Sequence, residues 1–208
     1  QRQVASILTQ VIVKKDDLAF ENPTKPIGKY FNEEQAKDLK KKKFALKQYP
    51  HHEYRRMVPS PEPVEILESR VIEILLHNNT IVIAGGGGGI PILESGNRQY
   101  KGVEAVIDKD LTSAVLANSV YAEILVILTE VSNVYLNYRQ PRQEILSKIS
   151  VKQLELYCEQ GHFGNGDMMP KIQAALNFLK HGGSKVIITD FEHVEMAFAD
   201  KAGTVITS

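Results

Sequence analysis

Glu123-Ile-Leu-Val-Ile-Leu128 is the stretch that decides the fold class. Its unbroken apolar row can bury both faces, as a central strand of a parallel sheet does. Working outward, the spacing predicts helices over Val151–Glu159 and Met168–His181, then a strand over Lys185–Thr189. A helix over Glu192–Ala199 and a last strand over Gly203–Ile206 follow. Toward the amino terminus come a helix over Leu111–Asn118 and a strand over Val103–Ile107. The strand Thr80–Ala84 runs into five glycines, Gly85–Gly89. Apolar residues at helical spacing (Ile66, Leu67, Val71, Ile74, Leu75) predict a helix over Val64–His77. Ile7–Val13 is apolar and β-branched, which predicts one strand. Strands alternating with helices imply an α/β fold, a three-layer α/β/α sandwich with a mostly parallel sheet.

The 208 residues hold 25 basic and 25 acidic side chains, and 43% are apolar. Such a chain builds a core, and zero net charge argues against a dedicated nucleic-acid binder. One cysteine excludes a disulfide framework and a Cys-rich zinc site. The longest apolar stretch, Ile81 to Leu93, is interrupted by glycines and too short to span a bilayer. The opening QRQVASILTQV lacks the apolar region of a signal peptide. The expectation is a soluble cytoplasmic protein, with no membrane and no nucleic-acid partner.

The even balance hides an asymmetry. Residues 1–61 carry 13 Lys/Arg against 7 Asp/Glu, a net +6, and residues 62–208 carry 12 against 18, a net −6. The shift falls in Val-Pro-Ser-Pro-Glu-Pro, Val58–Pro63, a linker composition. The division expected is a sandwich strand over 1–13, a small protruding basic α+β subdomain over 14–61, and the main part over 62–208. The subdomain holds a helix beginning near Asn32 and short strands at Phe44–Lys47 and Tyr54–Val58. Its lysine run, Lys40–Lys43, reads as a solvated helix end or an anion site.

In an open α/β sheet, ligands bind at the carboxyl ends of strands. Four segments fall there or beside it. The glycine run Gly85–Gly89 lets backbone N–H groups approach an anion. It is no Walker A loop, since no Gly-Lys-Ser/Thr follows, and a ligand-free turn explains it as well. In Ile107-Asp-Lys-Asp-Leu111, Lys109 can neutralise phosphate oxygens and Asp110 can hold lysines or Mg²⁺. Alternatively, Asp110 caps the helix that follows. In Gly161–Lys171, a glycine-rich loop opens a helix with Pro170 and Lys171 in its first turn, which suits phosphate binding. Met168 there lines a pocket or belongs to the core. In Asn22-Pro-Thr-Lys-Pro-Ile-Gly28, two prolines stiffen the loop that projects Lys25. His51-His52-Glu53 cannot converge on one metal ion, and no metal site is expected.

Taken together, NPTKPIG, RRMVPSPEP, GGGGIP, GVEAVIDKDLTS, ILTEVSNVYLNY, GHFGNGDMMPK and KAGTVI resemble the carbamate kinases, in order and spacing, from about Thr9 to Ile206. The resemblance implies reversible phosphoryl transfer between ATP and carbamate. In arginine fermentation it runs from carbamoyl phosphate and MgADP to ATP. It implies a homodimer, with a protruding subdomain over the active site. Lys25 would reach the carbamoyl phosphate, Lys109 and Lys171 would neutralise the moving phosphoryl group, and Asp110 would hold the lysines. Gly86, Gly87, Gly88 and Gly89 would line the nucleotide site, with Thr129, Val131, Tyr135, Met168 and Pro170 around adenosine. Mg²⁺ would be held mostly by phosphates and water. The family's amino-terminal lobe, whose glycine-rich turns hold the transferred phosphate and carbamate, has no counterpart in these 208 residues. Asp167 stands where the family has serine, Ser132 where it has an acid, and His51-His52-Glu53 where it has a Gly-Arg-Gly turn. These departures leave two alternatives: a degenerate homologue that binds nucleotide or a partner, and another kinase of the amino-acid-kinase superfamily.

Overall fold

The computed structural model describes residues 1–97, 99–164 and 166–208. The chain opens with strands β1 (Val4–Ser6), β2 (Gln10–Val13) and β3 (Lys25–Phe31), then helix α1 (Glu33–Lys41). Strands β4 (Leu46–Tyr49), β5 (Glu53–Val58) and β6 (Pro63–Ile66) lead to helix α2 (Ser69–His77). Next come β7 (Ile81–Ile83), β8 (Ile90–Glu94), β9 (Tyr100–Gly102) and helix α3 (Lys109–Ser119). Strands β10 (Ile124–Leu128), β11 (Val134–Leu136), β12 (Glu144–Leu146) and β13 (Lys148–Ser150) precede helices α4 (Val151–Glu159) and α5 (Met168–Lys180). Strand β14 (Lys185–Thr189), helix α6 (Val194–Phe198) and strand β15 (Thr204–Thr207) close the order.

The α/β class expected from the alternation holds. EILVIL forms β10, which pairs in parallel with β14, but it is an edge strand of its sheet, not a central one, and only Leu125 and Ile127 in it are buried. The sheets mix directions, however. One four-stranded sheet runs β10-β14-β15-β13, with β15 antiparallel to β14 and parallel to β13. A second runs β6-β2-β8-β9, where only the β2–β8 pair is parallel. β1 and β7 form a separate parallel pair.

Two cores result. The larger packs α3 and α5 on the first sheet, with Ile172, Phe178, Val186, Ile188 and Ile206 inaccessible to solvent. Burying a side chain such as Phe178 contributes about 1.5–3 kcal/mol. The smaller joins Val11, Val13, Ile66, Ile72 and Ile107.

Several boundaries differ from expectation. Ile7–Val13 is not one strand. The chain jogs at residues 7–9, where Thr9 Oγ1 donates to the Ile7 carbonyl and accepts from Gly85 N–H. The jog moves the chain from its β7 partner to its β8 partner. The helix predicted over Val64–His77 splits into β6 and α2. Ile66 pairs with Val11 and is fully buried, and Glu68 binds the Gln10 amide and side chain at 2.8 Å each. Residues 103–107 form no strand. They form an irregular segment with a bend at Glu104, tied by Val103 N–H to the Pro91 carbonyl and Val106 N–H to the Pro59 carbonyl. Strand β9 ends just before them, and Ile90-Pro91 opens β8.

The basic segment builds its own antiparallel sheet, β3-β5-β4. Helix α1 begins with a capping box between Asn32 and Gln35, with Glu33 and Glu34 in its first turn and Lys40 and Lys41 in its last. Here the sequence signals and the structure agree.

Candidate active site

Asp108 caps α3. Its backbone is extended, and its Oδ1 accepts the Asp110 N–H at 2.9 Å. The capping role therefore belongs to Asp108, not to Asp110. Lys109 and Asp110 occupy the first turn of α3, and Asp110 is buried.

Lys171 lies in the first turn of α5, one residue after Pro170. α3 and α5 pack side by side, joined further along by Asn118 Nδ2 donating to Asn177 Oδ1 at 3.1 Å. That packing brings both helix N-termini to one place. Lys171 Nζ reaches Asp110 Oδ2 at 2.7 Å, and Lys109 Nζ lies 3.5 Å from the same oxygen. The Lys171 side chain is 6% exposed, whereas that of Lys109 is 58% exposed. Lys171 is thus a fixed cation and Lys109 a reaching one.

Lys25 is the first residue of β3, so the stiff loop expected there becomes a strand. Its Nζ contacts Asp108 Oδ2 at 2.7 Å. Burial pushes the Asp108 carboxyl up, but the hydrogen bonds from Lys25 and the Asp110 amide, with the charges of Lys25 and Lys109, outweigh it and leave it below the usual range. Three lysines and two aspartates therefore meet at the positive end of two helix dipoles, a setting for an anion.

These side chains line one end of a cleft of about 1200 Å³. Thr129, Val131, Tyr135, Met168 and Pro170, the residues the resemblance places around adenosine, line it too. Asp167 also lines it, exposed and making no side-chain cap to α5. Tyr138 and Phe191, which sequence reasoning missed, add aromatic surface, and Asp190 and Glu192 add carboxylates. Asp190 follows β14, so its place at a strand's carboxyl end was the signal available. His193 Nδ1 lies 2.7 Å from Asp190 Oδ1, and that hydrogen bond lowers the Asp190 carboxyl below its usual range. His162 borders the cleft with its Nδ1 3.0 Å from Asn137 Oδ1.

The aromatic wall is latched from a distance. Val134 N–H donates to Thr204 Oγ1 at 2.8 Å, and Thr204 Oγ1 donates to the Leu146 carbonyl. Asn133 Nδ2 donates to the Gly203 carbonyl at 2.6 Å. Tyr135 and Tyr138 stand 5.5 Å apart on this latched segment.

The glycines are placed differently. Gly86, Gly87 and Gly89 line a second cleft with Ser6–Thr9, away from the aromatic pocket. Gly88 supports the lysine platform instead. A Cβ there would sit 2.0 Å from the Ile107 carbonyl oxygen, and its own carbonyl accepts from Thr112 Oγ1 at 2.8 Å. The turn is thus docked against the start of α3. Arg55 and Arg56 are also engaged elsewhere: Arg55 donates to the Gly28 carbonyl, and Arg56 pairs with Glu104 and covers Phe44. Among the described residues, no three His, Cys, Asp or Glu side chains converge on a point that would hold a metal ion. Among them, no helix is long and apolar enough to cross a membrane.

Lysines converging at helix N-termini beside an aromatic pocket make a site suited to an anionic ligand on an α/β fold. The sequence pattern of the amino acid kinase family matches residues 27–190, and the chain belongs to that family. Curated proteins similar to it include carbamate kinases. That of Thermoplasma acidophilum is 45% identical over 206 residues, 99% of this chain and 67% of the relative. That of Pyrococcus horikoshii is 45% identical over 208 residues, 100% of this chain and 66% of the relative. The solved carbamate kinase from Giardia lamblia bound to AMP-PNP superposes with a TM-score of 0.91 at 39% identity, covering 99% of this chain and 66% of that one. The chain thus spans about two thirds of the length of these relatives.

Proposed function

We propose that the protein is a carbamate kinase, transferring a phosphoryl group reversibly between ATP and carbamate. The observation that carries this is Asp110 gathering Lys109 and Lys171 at the joined N-termini of α3 and α5. Phosphoryl transfer requires no covalent nucleophile from the protein. Its rate comes from positioning and from neutralising charge on the moving group. Lys171, buried and fixed, offers donors at a set point. Lys109 and Lys25, more exposed, approach from either side.

The nucleotide lies along the aromatic part of the cleft, with adenine against Tyr135 and Met168 and its phosphates directed at the lysines. Asp108 and Asp110 are already engaged by lysines. The fit for Mg²⁺ is therefore as part of the substrate, held by phosphate oxygens and water, as is common for this ion. The same reading carries a cytoplasmic homodimer.

The test is a coupled assay of the full chain for ATP formed from carbamoyl phosphate and MgADP. Turnover that Lys171→Ala lowers by about 10² or more supports the reading. A folded Lys171→Ala protein with an unchanged rate overturns it.

A further inference from the structure

Asp108 has no place in the scheme above, yet it sits where the small sheet meets the pocket. It is 7% exposed. Its two oxygens do different work. Oδ1 caps α3 through the Asp110 N–H, and Oδ2 accepts from Lys25, 83 residues earlier in the chain. Among the described residues, no other carboxylate lies within ion-pair distance of Lys25.

We infer that Asp108 is the positioning residue for Lys25: it fixes the ammonium of the protruding sheet to the same helix end that carries Lys109 and Asp110. This rests on the phosphoryl-transfer reading above. The physical need is plain. A lysine has four rotatable bonds and a strongly hydrated head, and its side chain alone does not hold one position. β3 brings its backbone near, and the Asp108 oxygen fixes its tip. An ammonium has three donors. One is spent on Asp108, and the others remain for phosphate oxygens. Asp108 and Asp110 flank Lys109 at the start of α3, so one helix end contacts all three lysines. The two carboxylates offset two of the three cations and leave the cluster one net positive charge.

Asp108→Asn separates the two roles. Asparagine caps a helix as well as aspartate does. Its amide would present a donor, or an uncharged acceptor, to the Lys25 ammonium. The experiment is a double-mutant cycle in the full chain with Asp108→Asn, Lys25→Ala and both together. Melting is recorded beside kcat and KM for each substrate. The expected result is an Asp108→Asn melting temperature near that of the parent, with kcat/KM for carbamoyl phosphate lowered about tenfold or more. KM for MgADP should stay within about twofold, since Lys25 does not face the adenosine end. The double variant should be no slower than Lys25→Ala alone. Additive losses, or unchanged kinetics in a folded Asp108→Asn protein, overturn the inference.

A second readout needs no turnover. Reductive methylation with a carbon-13 label, with Lys25→Arg identifying the Lys25 signal, reports the environment of that ammonium. Asp108→Asn removes the carboxylate 2.7 Å from the Lys25 ammonium and should shift its resonance. An unmoved Lys25 signal overturns the inference even if the parent protein makes no ATP, whereas a missing activity with a moved signal overturns only the functional reading.

Discussion

Asp110 Oδ2 stands 2.7 Å from Lys171 Nζ and 3.5 Å from Lys109 Nζ, so one carboxylate oxygen orders two cations of unequal burial. Removing it has two effects. Asp110→Ala leaves the Lys171 ammonium buried without its partner and should cost about 3–5 kcal/mol of stability. Asp110→Asn keeps the volume and should lower kcat by about 10²–10³, the scale for losing a preorganised electrostatic contact. Urea unfolding and the coupled assay measure the two separately.

The Asp108 carboxyl lies below its ordinary value of 3.8 because Lys25, the Asp110 amide and Lys109 outweigh its burial. A carboxyl depressed in the folded state adds stability above its unfolded pKa, and that stability is lost as pH falls through the folded value. Acidification below about pH 4 should therefore weaken the protein, with part of the loss absent in Asp108→Asn. Urea midpoints at about pH 5 and about pH 3 give the comparison. Equal pH dependence in both proteins would contradict the account.

Gly88 has φ +132, and an added Cβ would meet the Ile107 carbonyl oxygen at 2.0 Å. Gly88→Ala should destabilise by about 1–3 kcal/mol and displace Lys109, since the clash falls on the backbone leading into α3. Gly86, at φ +50, meets no heavy atom within 4 Å, so Gly86→Ala should cost less. Thermal melts of the pair should rank them in that order.

Tyr135 faces the cleft and packs near Tyr138 at 5.5 Å. If adenine lies against it, Tyr135→Ala should weaken MgADP by about 1–3 kcal/mol, the range for an aromatic–base stack. Calorimetric titration of ADP gives the number. KM for carbamoyl phosphate should change little.

Asp167 lines the cleft, exposed, near the start of α5. Its charge opposes phosphate through a high-dielectric, screened path. Asp167→Ser should tighten inorganic phosphate or ADP by about fivefold at low salt, and the gain should fade near molar salt. An affinity gain independent of salt would point to shape instead of charge.

Much of this was legible in the sequence because the signals were local. EILVIL is a strand, the helix expected near Asn32 begins there, and Pro170-Lys171 marks the start of α5. Lys109, Asp110 and Lys171 could be singled out because each sits beside a helix start. What escaped depends on partners far along the chain. Residues 63–66 have apolar spacing that suits a helix, yet Ile66 pairs with Val11, 55 positions away, and the tertiary contact prevails. The Lys25–Asp108 ion pair spans 83 residues, and no spacing rule reveals it. The small size of the glycines is visible in sequence, while the Ile107 carbonyl that requires it at Gly88 is not.

Strand β15 also sets an order of events during synthesis. It lies between β14 and β13, and β13 has no other strand partner among the described residues. Thr204, its first residue, holds Val134 and Leu146 together. A nascent chain stalled before Thr204 emerges from the ribosome already contains α3, α5 and the three lysines. Its Tyr135 segment, however, lacks the Thr204 contact, so that wall of the cleft gains its anchor only when β15 arrives.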